Sequence, residues 1–134
     1  MRTTPLEIDG LPPVTRCLWA ERARERMRGL LGRDGLAPGE AMAFPRCRAV
    51  HTVGMRFPID VAFLGRDGRP VRTVRAVPPG RLLVWGGWRA RTTVEAAAGW
   101  IPPPSPDSAD RPVVPDAAKR PLNHVTKLPG SLDP

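Results

Sequence analysis

Apolar residues along this chain recur mainly at the spacing of β-strands. The clearest case is the run from residue 59 to residue 64, IDVAFL, which ends at Gly65 and at the turn dipeptide Asp67-Gly68. A short apolar run bounded by turn residues predicts a strand buried on both faces, and the alternating residues 69–77 are predicted to pair with it. Further strands are predicted at residues 6–8, 14–19, 41–44, 82–85 and 88–98, with Gly86-Gly87 as the turn of a second hairpin.

One segment, residues 20–31, has the period of a helix instead. Its predicted buried face consists of Ala20, Ala23, Met27, Leu30 and Leu31. Gly32 is predicted to end the helix, since glycine tolerates the left-handed backbone of a helix C-terminus. Several strands and a single helix predict a mainly β fold, a compact β-sandwich or barrel-like domain with one short α-helix.

The pattern stops after Gly99-Trp100. Residues 101–134 contain nine of the eighteen prolines and no aromatic residue, and neither the helical nor the strand period continues there. Such a segment cannot bury enough apolar surface to offset the entropy lost on ordering. The chain is therefore predicted to consist of a β-rich domain, residues 1–100, and a proline-rich disordered tail, residues 101–134, whose part beyond residue 102 packs against nothing.

Composition and charge add few constraints. The formal net charge is +8, but the arginines are spread through the chain without interleaved aromatics, so specific nucleic-acid binding is not expected. No apolar run reaches the length of a membrane span, and the first residues lack the features of a signal peptide. Two cysteines outside any CxxC motif predict reduced thiols. We expect a cytoplasmic protein that is a monomer or a small homo-oligomer.

Four stretches together resemble a known family: ERARERMRGLLGR, EAMAF, HTVGMRFPIDVAFLGRDGRPV and TVEAAAG. They resemble, in order and over about residues 14–100, the bacterial and archaeal domain of unknown function 192 family, also called UPF0127. The resemblance implies a β-rich sandwich or barrel with one short helix, and it implies no particular activity. Glu95 matches a carboxylate of the family pattern. Many members carry an aromatic residue near the position of His51, which argues against an obligatory catalytic histidine.

Candidate chemistry concentrates between residues 47 and 60. Cys47, His51 and Met55 are spaced four apart, and thiolate, imidazole and thioether would together suit monovalent copper. The plainer interpretation is the inward face of a strand, and it is preferred, so no metal and no cofactor are expected. A nucleophilic pair of Cys47 and His51, with Asp60 orienting the imidazole, is the enzymatic alternative. On a flat strand, however, positions four apart are about 13 Å apart.

Asp60 is better explained as a structural carboxylate that accepts backbone hydrogen bonds at the mouth of a buried strand. Trp85, Trp88 and Trp100 suggest a third function, an aromatic surface for a ligand, although two of the three could close the core. We favour a binding module for a small ligand or peptide, with His51, Asp60, Cys47, Met55 and Glu95 as candidate site residues. The alternative is a hydrolase-like or metal-dependent enzyme that uses His51 with Asp60 or Cys47. His51 itself is expected to be buried against strand side chains.

Overall fold

A computed structural model describes residues 1–106 of the chain, and most of their regular structure is β. The only helix in this part is α1, Ala23–Arg28. The strands are β1 (Arg2–Leu6), β2 (Val14–Trp19), β3 (Glu40–Pro45), β4 (Ala49–Val50), β5 (Ile59–Leu64), β6 (Pro70–Val77), β7 (Val84–Trp85) and β8 (Thr92–Ala97). The prediction of a mainly β domain with one short helix is confirmed.

Six of the strands form one sheet in the order β1-β2-β3-β8-β5-β6. The edge strands β1 and β6 do not pair with each other, so within residues 1–106 the sheet stays open and is not a closed barrel. The remaining strands, β4 and β7, pair with each other as a separate small sheet. Nowhere in the described part of the chain is there a helix long and apolar enough to cross a membrane.

The pairing of β2 with β3 is parallel, whereas the other pairs in the sheet are antiparallel. Parallel neighbours need a crossover connection, and here the connection carries α1. Leu30 and Leu36 of this connection are buried in the same cluster as Met42 and Phe44 of β3. The crossover therefore lays the helix and its following turn over one face of the sheet.

The sheet buries apolar side chains on both faces, as the alternation of side chains along a strand allows. One face carries the larger cluster, with Ile59, Val61 and Phe63 of β5 at its centre. The opposite face carries a second cluster, which includes Ala62 and Leu64. Burial on both faces explains why β5 appears in the sequence as a nearly continuous apolar run.

The helix is only half as long as predicted. The carboxylate of Glu25 accepts hydrogen bonds from the backbone N–H groups of Arg22 (2.9 Å) and Glu21 (3.0 Å), which fixes the start of α1 at Ala23. Hydrogen bonding from Arg22 lowers the pKa of Glu25. Gly29, at φ +47°, ends the helix three residues before the predicted cap. Met27, predicted to be buried, is 80% exposed because the short helix turns this position toward solvent.

The second predicted hairpin is wrong. Gly86-Gly87 does not join paired strands, because β7 pairs with β4 while β8 inserts between β3 and β5. The segment that contains β4 is predicted only as extended chain, without a partner strand. The two residues of β4 have no detectable period, and their partners Trp85 and Val84 lie 36 and 34 positions away in the sequence.

Residues Met1–Pro103 form one compact unit, and a second unit, Pro104–Pro134, lies mostly outside the described residues. The side chain of Trp100 donates to the Pro12 carbonyl (3.1 Å), and Ile101 is buried. Ile101 was assigned to the tail by composition, yet it packs with the sheet. The predicted disorder of the tail concerns chiefly residues 107–134, which lie outside the described part of the chain.

Candidate functional site

A cavity of about 180 Å³ opens between α1 and the sheet. One wall is the end of the helix and its following turn, residues 26–31, and the other is the segment from residue 46 to residue 55. Phe44 of β3 and Glu95 of β8 line it from the sheet. The crossover that carries α1 thus creates the cavity, because the helix covers the sheet without filling the space above β8.

Glu95 distinguishes this cavity from an ordinary packing defect. It lies on the central strand β8 between Met42 and Val61, and it is only 3% exposed. Its carboxyl group has no hydrogen bond and no ion pair with any residue of the described part. Since no polar side-chain atom in residues 1–106 is both sealed from solvent and unpaired, the Glu95 oxygens reach the cavity.

Burial also sets the charge of Glu95. It raises the pKa of the carboxyl group to about 8, because a carboxylate loses hydration inside the protein and no hydrogen bond or cation compensates. At neutral pH the group is therefore mostly protonated. A neutral carboxyl group can both donate and accept a hydrogen bond, so the cavity contains a polar group able to pair with either kind of partner.

Two threonines hold the segment from residue 46 to residue 55 in place. Thr93, two positions before Glu95 on β8, donates from its hydroxyl to the Cys47 carbonyl (2.9 Å). Thr52 is fully buried, and its hydroxyl donates to the Pro78 carbonyl (2.6 Å). Sequence reasoning singled out neither residue. Thr93 could have been found from its alternation with Glu95, whereas nothing in the local sequence marks Thr52.

The structure brings four of the five predicted site residues together. Cys47, His51, Met55 and Glu95 all line the cavity. Cys47 is half-buried and donates from its thiol to the Ala49 carbonyl (3.0 Å), and Met55 is buried. His51 is exposed, so the expectation of a buried His51 is wrong. Thr52, the next residue, points into the protein, and this leaves the side chain of His51 exposed.

Asp60 does not belong to this group. Its carboxylate accepts hydrogen bonds from the backbone N–H groups of Ala76 (2.7 Å), Gly99 (3.0 Å) and Ile101 (2.8 Å). It precedes Val61 on β5, and Val61 is the residue opposite Glu95. Neighbouring residues of a strand point to opposite faces, so Asp60 cannot meet His51 in the cavity. Its environment is that of a structural carboxylate.

Three arginines that sequence reasoning treated as background line the cavity: Arg26, Arg28 and Arg46. Arg26 donates to the Pro45 carbonyl (2.9 Å) and to the Ala20 carbonyl (3.4 Å), which ties α1 to the end of β3. No carboxylate of the described residues forms an ion pair with any of the three. In the sequence, these arginines are recognisable only as basic residues that come before and after the predicted strand at residues 41–44.

The tryptophans lie apart from the cavity. Trp85 and Trp88 contact each other edge to face, with ring centroids 5.2 Å apart, and both are exposed, Trp88 to 77%. Of the three tryptophans considered, only Trp100 packs against a buried cluster. The alternative in which two of them close the core is therefore wrong, since Trp85 and Trp88 are exposed.

The lining of the cavity combines apolar side chains with acidic and basic ones. Within residues 1–106, no three His, Cys, Asp or Glu side chains come together as a metal site. The cavity offers an apolar wall from Leu30, Phe44 and Met55, a carboxyl group, an imidazole, and guanidinium groups. A small molecule with one ring and a few polar groups matches this lining.

Fold and cavity together define a class of small domain, an open mixed β-sheet with one helix laid across it. The family is equally clear, because residues 5–103 match the model of DUF192, described as an uncharacterized ACR (COG1430). The chain belongs to that family, and the resemblance found in the sequence is confirmed. No curated protein matches the chain.

Two solved structures are similar to this domain. One is a protein of unknown function from Novosphingobium aromaticivorans DSM 12444, with a TM-score of 0.58, 22% identity, and coverage of 63% of this chain and 64% of that one. The other, from Sinorhizobium meliloti 1021, is provisionally named a transcription regulator, with a TM-score of 0.58, 24% identity, and coverage of 64% and 70%. The chain thus spans less than two thirds of the first structure. At these identities the likeness concerns the fold alone.

Proposed function

We propose that this domain is a binding module whose small ligand occupies the cavity between α1 and the sheet. The observation that carries the proposal is Glu95, a carboxyl group 3% exposed that faces the cavity with no partner in the described residues. The oxygens of this group are not sealed from solvent but reach the cavity. Because no group of the described residues pairs with them, they are available to a molecule bound there.

The size of the cavity supports a small molecule over a peptide. Its volume is about 180 Å³. An apolar cavity of roughly 150 Å³ is large enough for benzene. The cavity therefore suits one aromatic ring or a short aliphatic chain with its polar groups, and a peptide would place at most one side chain inside.

A hydrolase-like or metal-dependent enzyme is the second candidate. It is favoured by one observation, that Cys47 and His51 line the same cavity and could serve as nucleophile and base. Against it, the Cys47 thiol donates to the Ala49 carbonyl rather than to the imidazole. Asp60, on the other face of the sheet, is not available to orient His51. The binding module requires none of these groups to react and is preferred.

The proposal places the module in a bacterial cytoplasm, as a monomer or a small homo-oligomer without specific nucleic-acid binding. Cys17 and Cys47 are both free, which suits a reducing compartment. Burial raises the pKa of Cys17 to about 11, so this thiol is unreactive. These points support the setting of the proposal and do not depend on the identity of the ligand.

The test is a titration of the full chain with toluene and phenol, followed by ¹H–¹⁵N NMR. Binding in the cavity is expected to shift the amide signals of Gly29, Cys47 and Glu95. Phenol, which can pair with the carboxyl group, is expected to bind about tenfold more tightly than toluene, a typical difference for one buried hydrogen bond.

Glu95→Leu is expected to remove the preference for phenol, while the control Glu7→Leu, at an exposed position, is expected to keep it. If neither compound shifts the three amide signals at millimolar concentration, the cavity is not a binding site for small rings and the proposal is wrong.

A further inference from the structure

The cavity has two chemically different ends. Glu95 lies at the inner end, against the sheet, and it is nearly inaccessible to solvent. Arg28 and Arg46 line the cavity and are exposed, which assigns them to its outer end, and the half-buried Arg26 lines it as well. A ligand that spans the cavity therefore contacts a carboxyl group at its inner end and guanidinium groups at its outer end.

Resting on the binding function proposed above, we infer that the ligand is a small organic anion, a carboxylate or a phosphate monoester, that carries a hydrogen-bond donor at its far end. The anionic group lies among the three arginines, and the donor, a hydroxyl group or an amide, pairs with Glu95. The carboxyl group then has a hydrogen-bond partner and the arginines have an anionic partner, and neither is present within residues 1–106.

The outer end argues for the anionic group. Five arginines of residues 1–106 form ion pairs with carboxylates: Arg2, Arg16, Arg33, Arg56 and Arg69. The three arginines of the cavity have no such partner in this part of the chain, and they differ from its other unpaired arginines in lining the cavity that Glu95 also lines. Guanidinium groups bind carboxylates and phosphates through paired hydrogen bonds, so a cluster of them around one opening is suited to an anion.

The backbone at Arg46 supports this role. Arg46 has φ +54°, a left-handed conformation that is uncommon for residues other than glycine. Arg46 directly follows β3, is exposed, and lines the cavity. Strained positions of this kind are often found at ligand sites.

The inner end argues against a ligand cation there. Burial keeps Glu95 mostly neutral at pH 7, since its pKa is about 8. A cation would have to pass the arginines at the opening, where like charges repel it, before it reached the carboxyl group. A neutral donor meets neither obstacle, because it pairs with the carboxyl oxygen of Glu95 whether that group is protonated or not.

The test compares four compounds of one size: 4-hydroxybenzoate, benzoate, phenol and 4-hydroxybenzylamine, titrated into the full chain by NMR. 4-Hydroxybenzoate is expected to bind best, about tenfold more tightly than phenol or the amine, and its advantage over phenol is expected to shrink when salt is raised from about 20 to about 300 mM. Benzoate, which lacks the hydroxyl donor, is expected to fall in between.

Arg46→Gln is expected to weaken 4-hydroxybenzoate at least about threefold and to leave phenol unchanged, because it removes one charge at the outer end. The matched control is Arg66→Gln, at an exposed turn position outside the cavity, which is expected to change neither affinity.

Three results would overturn the inference: equal affinities for phenol and 4-hydroxybenzoate, tighter binding of the amine, or equal losses in Arg46→Gln and Arg66→Gln. In each of these cases phenol still binds in the cavity and the proposed binding function stands. If phenol also fails to shift the cavity signals, the binding function itself is wrong and the inference fails with it.

Discussion

Two buried acidic residues on neighbouring strands of this sheet have opposite surroundings. Asp60 on β5 points to one face and accepts three backbone N–H groups, from Ala76, Gly99 and Ile101. Glu95 on β8 points to the other face and has no partner in residues 1–106. Both are almost completely buried, at 0% and 3% exposure. Burial alone therefore says little about what a carboxyl group does.

The two carboxyl groups differ in whether the protein supplies hydrogen-bond donors to them. The three N–H groups around Asp60 belong to a bulged part of β6 and to the turn after β8, where the regular ladder leaves donors unpaired. One side chain satisfies them, so Asp60 completes the fold. Within the described residues no group forms a hydrogen bond with the Glu95 carboxyl group, so this face of the sheet is the one at which a ligand can pair with it.

The largest effect is expected from removing the structural carboxylate. Asp60→Ala leaves three backbone donors without an acceptor, and unpaired buried groups are costly, so a loss of about 3–5 kcal/mol in the free energy of unfolding is expected. Urea denaturation measures it. Asp9→Ala, at an exposed aspartate, is the matched control and is expected to stay within about 0.5 kcal/mol of the parent. If Asp60→Ala changed the free energy of unfolding as little as Asp9→Ala, the structural role of Asp60 would be contradicted.

A smaller effect is expected from Glu95, and it depends on pH. An unfolded glutamate ionises near pH 4.5, whereas Glu95 in the fold keeps its proton up to about pH 8. The folded state therefore binds the extra proton between these values, so the stability that it provides is complete below about pH 4.5 and is lost as pH rises to about 8.

Glu95→Gln removes this dependence, because glutamine does not titrate. From pH 5 to pH 8 the variant is expected to gain about 2–4 kcal/mol relative to the parent chain, below the limit of about 1.4 kcal/mol per pH unit. Glu7→Gln is the control and is expected to run parallel to the parent. Parallel curves for Glu95→Gln as well would show that the carboxyl group is hydrated or paired in solution.

The smallest effect on stability is expected at His51. Because this side chain is exposed, His51→Phe is expected to change the free energy of unfolding by less than about 0.5 kcal/mol. The same variant separates the two candidate functions through the rate at which iodoacetamide alkylates Cys47, followed by peptide mass spectrometry. A binding module predicts equal rates in both proteins. A rate that falls in His51→Phe would identify the imidazole as the base that activates the thiol and would favour the enzyme.

Local patterns in the sequence located much of this fold. The strands at residues 14–19 and 59–64 were predicted with the bounds that the structure has. Each has a period or a continuous apolar run within itself, and turn residues mark the limits of the second. The helix was found but overextended, because the side chain of Glu25 fixes its start and the backbone of Gly29 its end, and the apolar period continues past both.

The same local patterns do not predict which strands pair with each other, or in which register. Whether Asp60 shares a face with Glu95 depends on the register of β5 against β8, in which Val61 and not Asp60 lies opposite Glu95. A shift of one residue would reverse the answer. The candidate residues Cys47, His51 and Met55 were found from their spacing and chemistry, but their meeting with Glu95 in one cavity depends on long-range folding that no local pattern records.

The location of β8 also constrains how the domain assembles. It is the last of the eight strands in residues 1–106, yet it lies between β3 and β5 and pairs with both. A nascent chain that has emerged only through β6 can form two separate half-sheets, each with an unpaired strand edge and an apolar face. The halves join only when residues 92–97 leave the ribosome and insert between them. Until then, the unpaired strand edges of the growing chain can pair with those of other chains. Insertion of β8 is therefore the step at which folding and aggregation compete.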